Sequence, residues 1–185
     1  MNAEQIIRRV LDSLDELEVP YVLVGSFASN IYGQARSTRD ADLVVQGPLG
    51  QVSALMRKLG SEFSRDPQIQ FETVTGTRKT VIVHKPTKFE VEVFELSDDP
   101  HDQIRFARRR QARIYGGDSW VLTPEDVLVT KLKWLHRANR TKDLLDVQHV
   151  IGVQADSLDW TYIERWCDEH GSRQLLEKIR AELRR

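Results

Sequence analysis

Residues 21–45, YVLVGSFASNIYGQARSTRDADLVV, pass from an apolar run through a glycine and a short amphipathic segment into a second run that carries two acids. Residues 21–24 are continuous strand formers, and Gly25 permits a tight exit from the strand. Ser26 is predicted to cap a helix that Gly33 ends. The inner face of that helix would hold three apolar side chains: Phe27, Ala28 and Ile31. The stretch therefore predicts strand, glycine turn, helix and second strand in direct succession.

The second strand, predicted over residues 38–45, alternates acidic and apolar side chains. This alternation places Asp40 and Asp42 on one face of the strand and the apolar residues on the other. Two carboxylates roughly 7 Å apart repel, and each disfavours ionisation of its neighbour. A hard divalent cation relieves that repulsion, and Asp oxygens suit Mg²⁺, which shares its ligands with substrate phosphates. The pair predicts a site for Mg²⁺, with Mn²⁺ as the alternative ion.

The corner at Gly25 and Ser26 predicts an anion site beside the cation site. Unpaired amides and the positive end of a helix dipole attract phosphate oxygens. Alone, a Gly-Ser pair after a strand is usually an ordinary turn and cap, and a lone Asp-x-Asp is usually a solvated strand edge. Here Arg36 and Thr38 lead directly into the carboxylates, and this combined context favours a functional site.

These residues resemble the signature of the DNA polymerase beta-like nucleotidyltransferase superfamily. The resemblance is to its minimal bacterial form, which includes aminoglycoside nucleotidyltransferases and abortive-infection toxins of the AbiEii type. The matching positions are Gly25, Ser26, Gly33, Arg36, Thr38, Asp40 and Asp42. Residues 123–134, TPEDVLVTKLKW, are similar to the helix that follows the core in the AbiEii-like group, so the resemblance covers about residues 22–150.

The resemblance implies an α/β (α+β) fold with a mixed, nucleotidyltransferase-type sheet flanked by helices and a C-terminal helical extension. It implies metal-dependent transfer of a nucleoside monophosphate from a nucleoside triphosphate to a hydroxyl. The nucleotide-binding residues would be Gly25, Ser26, Arg36 and Thr38, and the metal ligands would include Asp40 and Asp42. We expect residues 1–121 to form the core and residues 122–185 to form a helical region packed on it.

A third carboxylate is expected on the strand over residues 88–94, KFEVEVF, where the apolar side chains face one way and the acids the other. The resemblance implies an acid there, usually Asp; Glu92 fits best, and Glu90 lies one period away. Glu92 would ligate the metal or act as general base toward the attacking hydroxyl. Glu in place of Asp also fits a weakened enzyme, and alternation alone requires only an acidic outer face.

The helix predicted from residue 123 carries a lysine inside its apolar stripe. Thr123 and Pro124 give its start, and Lys131 lies between Val127 and Trp134 on the buried side. We expect Lys131 to reach the triphosphate and Lys133 to point nearer solvent. The alternative for Lys131 is a lysine whose stem packs while its ammonium reaches water.

The rest of the chain alternates helical and strand patterns. Further helices are predicted at residues 3–17, 52–59, 102–113, 140–150, 158–167 and 172–183. Further strands are predicted at residues 68–75 and 80–84 and around Trp120 and Val121, with a loop at 61–67. The helix over 102–113 carries three arginines that either dock a polyanion or form a solvated face: Arg105, Arg108 and Arg109.

Composition narrows the function classes. The net charge of −1 argues against bulk electrostatic binding of nucleic acid and leaves room for a local basic patch. A single cysteine, Cys167, excludes an internal disulfide, and the first residues lack a signal-peptide pattern, so a reducing cytoplasm is expected. No apolar run approaches the length of a membrane span, and the five histidines lack zinc spacing.

Three functions stay open at this point. The first is an active transferase whose acceptor is a tRNA, a protein or a small molecule, within a toxin–antitoxin or abortive-infection system. The second is a catalytically weak, nucleotide-binding or antitoxin-like protein with a cognate partner protein, which the glutamate at position 92 favours. The third is a glycosyltransferase, since Asp-x-Asp also binds metal with a sugar nucleotide; the Gly-Ser corner has no place in that class.

Overall fold

The computed structural model describes residues 1–47, 50–68, 70–72, 76–138 and 141–184. In these residues eight strands form one mixed sheet flanked by eight α-helices, which confirms the predicted α/β class. The strands are β1 Tyr21–Val24, β2 Asp40–Val45, β3 Phe63–Arg65, β4 Gln70–Phe71, β5 Arg78–His84, β6 Phe89–Glu95, β7 Arg110–Ile114 and β8 Gly117–Val121. The helices are α1 Ala3–Glu16, α2 Gly25–Tyr32, α3 Gly50–Leu59, α4 Pro100–Ala107, α5 Pro124–Ala138, α6 Thr141–Gln154, α7 Trp160–His170 and α8 Arg173–Leu183.

The order of the strands brings the acids together. The sheet runs β3-β5-β6-β2-β1-β8-β7, with β4 paired to β5. Strand β2 is antiparallel to β1 and parallel to β6, with Asp40 opposite Glu90 and Asp42 opposite Glu92. Because residues directly opposite each other in neighbouring strands point to the same face, the acids of β2 and β6 share one side of the sheet.

The core forms where the apolar patterns predicted it. All four residues of β1 are buried, as expected for a central strand covered on both faces. Helix α1 buries its apolar stripe: Ile6, Ile7, Val10, Leu11 and Leu14. Strand β8 ends at Val121, and the division of the chain into two regions there stays a prediction. No helix in the described ranges is long and apolar enough to cross a bilayer.

Several predicted elements are wrong. The helix over residues 102–113 ends at Ala107, and Arg110–Ile114 forms β7, because Ala112 and Ile114 turn inward and the strand pairs with β8. The predicted loop over residues 61–67 contains β3, which pairs with β5. Ile31, assigned to the inner face of α2, is 36% exposed.

Two predicted boundaries fall partly outside the described residues. Of the strand predicted over residues 68–75, Gln70–Phe71 is present as β4, while residues 69 and 73–75 lie outside the described ranges. The helix predicted from residue 140 is described from Thr141 and continues to Gln154.

Candidate active site

The glycine corner holds the carboxylate of Asp42 directly against the backbone. Gly25 has a φ of 62°, and a Cβ placed on it would lie 1.9 Å from Asp42 Oδ2. Only glycine therefore allows both the turn and this approach. The prediction that Ser26 caps α2 is wrong, because the cap position is Val24. Ser26 Oγ instead accepts a hydrogen bond of 2.8 Å from Arg36 Nη2.

Replacing Gly25 with Ala is expected to lower nucleotidyl transfer at least tenfold, because the new methyl displaces Asp42. The left-handed backbone adds a cost of about 1–2 kcal/mol in unfolding free energy. Gly116→Ala is the matched control, since Gly116 has a φ of 85° and open space around its Cα. Urea unfolding should show a loss of stability for both variants, larger for Gly25→Ala because its methyl clashes with Asp42, and a transfer assay should show a loss for Gly25→Ala alone. Equal activity of the two variants would contradict this role.

One cavity of about 380 Å³ is lined by the glycine corner, by Asp40, Asp42 and Glu92, and by four further acids: Glu72, Glu95, Asp102 and Asp143. Thr38 Oγ1 donates a 2.7 Å hydrogen bond to Asp40 Oδ1. Glu92 Oε1 lies 2.7 Å from Lys79 Nζ. Glu90 is exposed and lies outside the cavity wall, so the geometry favours Glu92 as the third acid.

The acids affect each other's ionisation, as the sequence predicts. Burial, followed by the charges of Asp40 and Glu92, raises the pKa of Asp42 to about 6, while Lys131 and Lys142 oppose the rise. The donor chemistry suits a hard cation. Within the described residues, however, no three acidic, histidine or cysteine side chains are already grouped as a metal site. Glu92 is engaged with Lys79 instead.

Asp42→Asn is expected to stabilise the metal-free protein by about 1–3 kcal/mol at pH 8. The usual pKa is 3.8 and the folded value is about 6, so the folded state loses stability as the pH rises through this interval. The variant has no such loss, and its advantage should vanish below about pH 4. Urea unfolding in EDTA at pH 8 and pH 4 measures both values; an equal difference at the two pH values would contradict the assignment.

A second charged network lies beside these acids. Lys131 Nζ lies 2.8 Å from Asp143 Oδ1 and 2.8 Å from Asp146 Oδ2. Arg36 binds Asp146 through two hydrogen bonds, of 2.7 and 2.9 Å. Burial disfavours the Asp146 charge, but Arg36 and Lys131 outweigh it and hold the pKa of Asp146 below its ordinary value. The network therefore joins α6 to α5 and to the segment that leads into β2.

Sequence reasoning missed Asp143 and Asp146. Both are buried on α6, for which the sequence predicts only a helix of the region packed on the core. The signal was present in Lys131, because a lysine on a buried helix face needs a carboxylate, and two acids three residues apart on one helix supply it. Lys131 lines the cavity, which is the position that contact with a triphosphate requires. That contact stays a prediction.

The remaining predicted basic positions are paired inside the protein. The prediction that Lys133 points nearer solvent is wrong, because the residue is only 6% exposed. Its Nζ lies 3.2 Å from Asp99 Oδ2, where α4 begins against α5. Arg105 pairs with Asp102 and Arg108 with Asp126. The guanidinium of Arg109 stacks on Phe106 and Trp120. This arrangement fits internal pairing better than a docking surface for a polyanion.

The family described as nucleotidyl transferase AbiEii toxin, type IV TA system, matches residues 9–185. The chain belongs to the AbiEii family. It is therefore a nucleotidyltransferase enzyme, as the resemblance of residues 25–42 implied. No curated protein matches the AbiEii-family chain by sequence.

Solved structures share the fold of this AbiEii-family protein. ANT(2″)-Ia in complex with adenylyl-2″-tobramycin has a TM-score of 0.63 at 16% identity, over 92% of this chain and 97% of that one. An antigenic nucleotidyltransferase-like protein from Paracoccidioides brasiliensis has a TM-score of 0.63 at 18% identity, over 95% and 90%. The lincosamide antibiotic adenylyltransferase LnuA, bound to lincomycin, has a TM-score of 0.55 at 14% identity, over 82% and 98%. The nucleotidyltransferase-type sheet is thereby confirmed.

Proposed function

We propose that this AbiEii-family enzyme moves a nucleoside monophosphate from a nucleoside triphosphate to an acceptor hydroxyl, with Mg²⁺ or Mn²⁺ held by Asp40 and Asp42. The observation that supports this most strongly is the placement of Asp40, Asp42, Glu92 and the glycine corner around one cavity. When bound, a divalent ion neutralises phosphate charge and helps the pyrophosphate leave.

The residues of the chain have separate tasks in this proposal. The start of α2 at Gly25 and Ser26 attracts the terminal phosphates through its amides and dipole. Arg36 and Thr38 act by fixing Ser26 and Asp40, to which they are hydrogen-bonded. Lys131, whose ammonium is bonded to Asp143 and Asp146, lines the cavity and would contact the triphosphate from its wall.

Glu92 completes the proposed site. Its carboxylate either joins the metal ligands or accepts the proton of the attacking hydroxyl. The bond that forms joins the acceptor oxygen to the α-phosphorus, and the bond that breaks releases pyrophosphate. Most of the acceleration would come from positioning and charge neutralisation, because phosphoryl-type transfer asks little covalent chemistry of the protein.

The acceptor is a hydroxyl of a tRNA, a protein or a small molecule. The structures of ANT(2″)-Ia and LnuA carry antibiotic ligands, which supports including aminoglycosides and lincosamides among the candidates. The description of the family supports a toxin–antitoxin setting with a cognate partner protein. A cytoplasmic location is part of the same proposal, consistent with the single buried cysteine, Cys167.

A screen of four labelled nucleoside triphosphates tests this function. Each is incubated with the protein and Mg²⁺ in the presence of total tRNA, lysate protein or antibiotic, and mass spectrometry identifies whatever gains label. Label that depends on Asp40 and Asp42 supports the transferase. Nucleotide binding without release of pyrophosphate against any acceptor would favour the weak, antitoxin-like alternative, which the glutamate at position 92 also favours.

A further inference from the structure

Lys79 forms an ion pair inside the candidate site. Its Nζ lies 2.7 Å from Glu92 Oε1, and the two side chains are only 19% and 21% exposed. Lys79 stands opposite Phe94 in the pairing of β5 with β6, which makes Glu92 its diagonal neighbour on the same face. A long side chain spans that diagonal. This pair is not visible in the sequence, because Lys79 lies just outside the strand predicted over residues 80–84.

Two groups of charged side chains lie at or next to the cavity wall, which also carries Glu72, Glu95 and the ion-paired residues Asp102, Arg105 and Lys133. In the first, the two cations Arg36 and Lys131 neutralise the two carboxylates Asp143 and Asp146. This group needs no further ion. Lys142 also lines the cavity, but its side chain is exposed, so solvent and salt screen its charge.

The second group keeps an excess of negative charge. It contains the three carboxylates Asp40, Asp42 and Glu92, and Lys79 supplies the one ammonium in contact with them among the described ion pairs. One divalent cation added to this ammonium brings three negative charges to zero. Two divalent cations would leave an excess of positive charge beside Lys79, before any phosphate is bound.

We propose that Lys79 takes the place of a second divalent cation, so that the site holds one ion at Asp40 and Asp42 while Glu92 stays bound to Lys79. The inference rests on the proposed function, because it assumes a metal site at the two aspartates. It assigns Glu92 to the acceptor hydroxyl rather than to the metal, and it makes Lys79 the residue that positions Glu92.

Metal stoichiometry tests the proposal without an activity assay. The full chain is titrated with Mn²⁺ in the absence of nucleotide, and bound ion is measured by electron paramagnetic resonance. We expect about one Mn²⁺ per chain for the unaltered protein and about two for Lys79→Met, which frees Glu92. Lys79→Met combined with Glu92→Gln should return to about one. Lys85→Met is the control, since Lys85 is exposed and bonded to the Ser61 carbonyl.

A single substitution at position 92 keeps the test decisive if Lys79→Met does not fold. Glu92→Gln should change Mn²⁺ affinity less than about threefold, while Asp42→Asn should weaken it more than about tenfold. Two ions in the unaltered protein, or a loss of affinity in Glu92→Gln equal to that in Asp42→Asn, would overturn the role of Lys79 and leave the transferase intact. Absence of any Mn²⁺ binding that depends on Asp42 would instead overturn the metal site itself.

Discussion

Nucleotidyl transfer is expected to fall by a factor of about 10³ or more when Asp40 and Asp42 are both replaced by Asn. The two carboxylates lie on one face of β2 at the wall of the cavity, where burial, followed by the charges of Asp40 and Glu92, raises the pKa of Asp42 to about 6. Asn keeps the shape of each side chain and removes the charge that a divalent ion requires. The fold should therefore survive while the chemistry is lost.

Incorporation of labelled nucleotide into the acceptor found by the screen measures this effect. Glu90→Gln is the matched control, because Glu90 lies opposite Asp40 on the neighbouring strand but has an exposed side chain outside the cavity. We expect its activity to stay within about twofold of the unaltered protein, since exposed charges at this range are screened. Transfer that persists in the double variant at a comparable rate would exclude the two aspartates as the catalytic centre.

Asp146→Ala is expected to lower the free energy of unfolding by about 3–5 kcal/mol. The Asp146 side chain is 3% exposed and bonds Arg36 at two positions and Lys131 at a third. Its removal leaves Arg36 without its carboxylate and Lys131 with Asp143 alone, and each cation loses a hydrogen-bond acceptor. The attachment of α6 to the rest of the site is lost with it.

Chemical denaturation of the metal-free protein measures this loss. Asp168→Ala removes another carboxylate from an ion pair, but that side chain is 62% exposed, so its loss should cost less than about 1 kcal/mol. A change at position 146 as small as the change at position 168 would mean that the buried network contributes little to stability.

The candidate site was predictable where its determinants are local. Gly25 follows a short buried strand, and the alternation of residues 40–45 fixes which way Asp40 and Asp42 point. The same alternation placed Glu92 on the shared face. Such patterns involve residues only two or three positions apart, so they can be recognised in the sequence without knowledge of the tertiary structure.

Other features depend on contacts between distant segments. The segment at Arg110 continues the arginine spacing of α4, and only its pairing with β8 makes it a strand, since tertiary contacts override local propensity. Lys79 lies outside the strand predicted over residues 80–84, because only its pairing with Phe94 of β6 extends β5 to include it. Asp143 and Asp146 of α6 can be recognised as part of a charged network only from their ion pairs with Arg36 and Lys131, which belong to other segments of the chain.

The bond between Arg36 and Asp146 sets an order of events during synthesis on the ribosome. The two residues are 110 positions apart. At about 5–20 residues per second, a growing chain needs on the order of 5–20 seconds to progress from the first to the second. For most of that interval the aspartates of β2 already exist, but the helix that anchors Arg36 and Lys131 has not been made, so the buried network forms only after residue 146 has been synthesised.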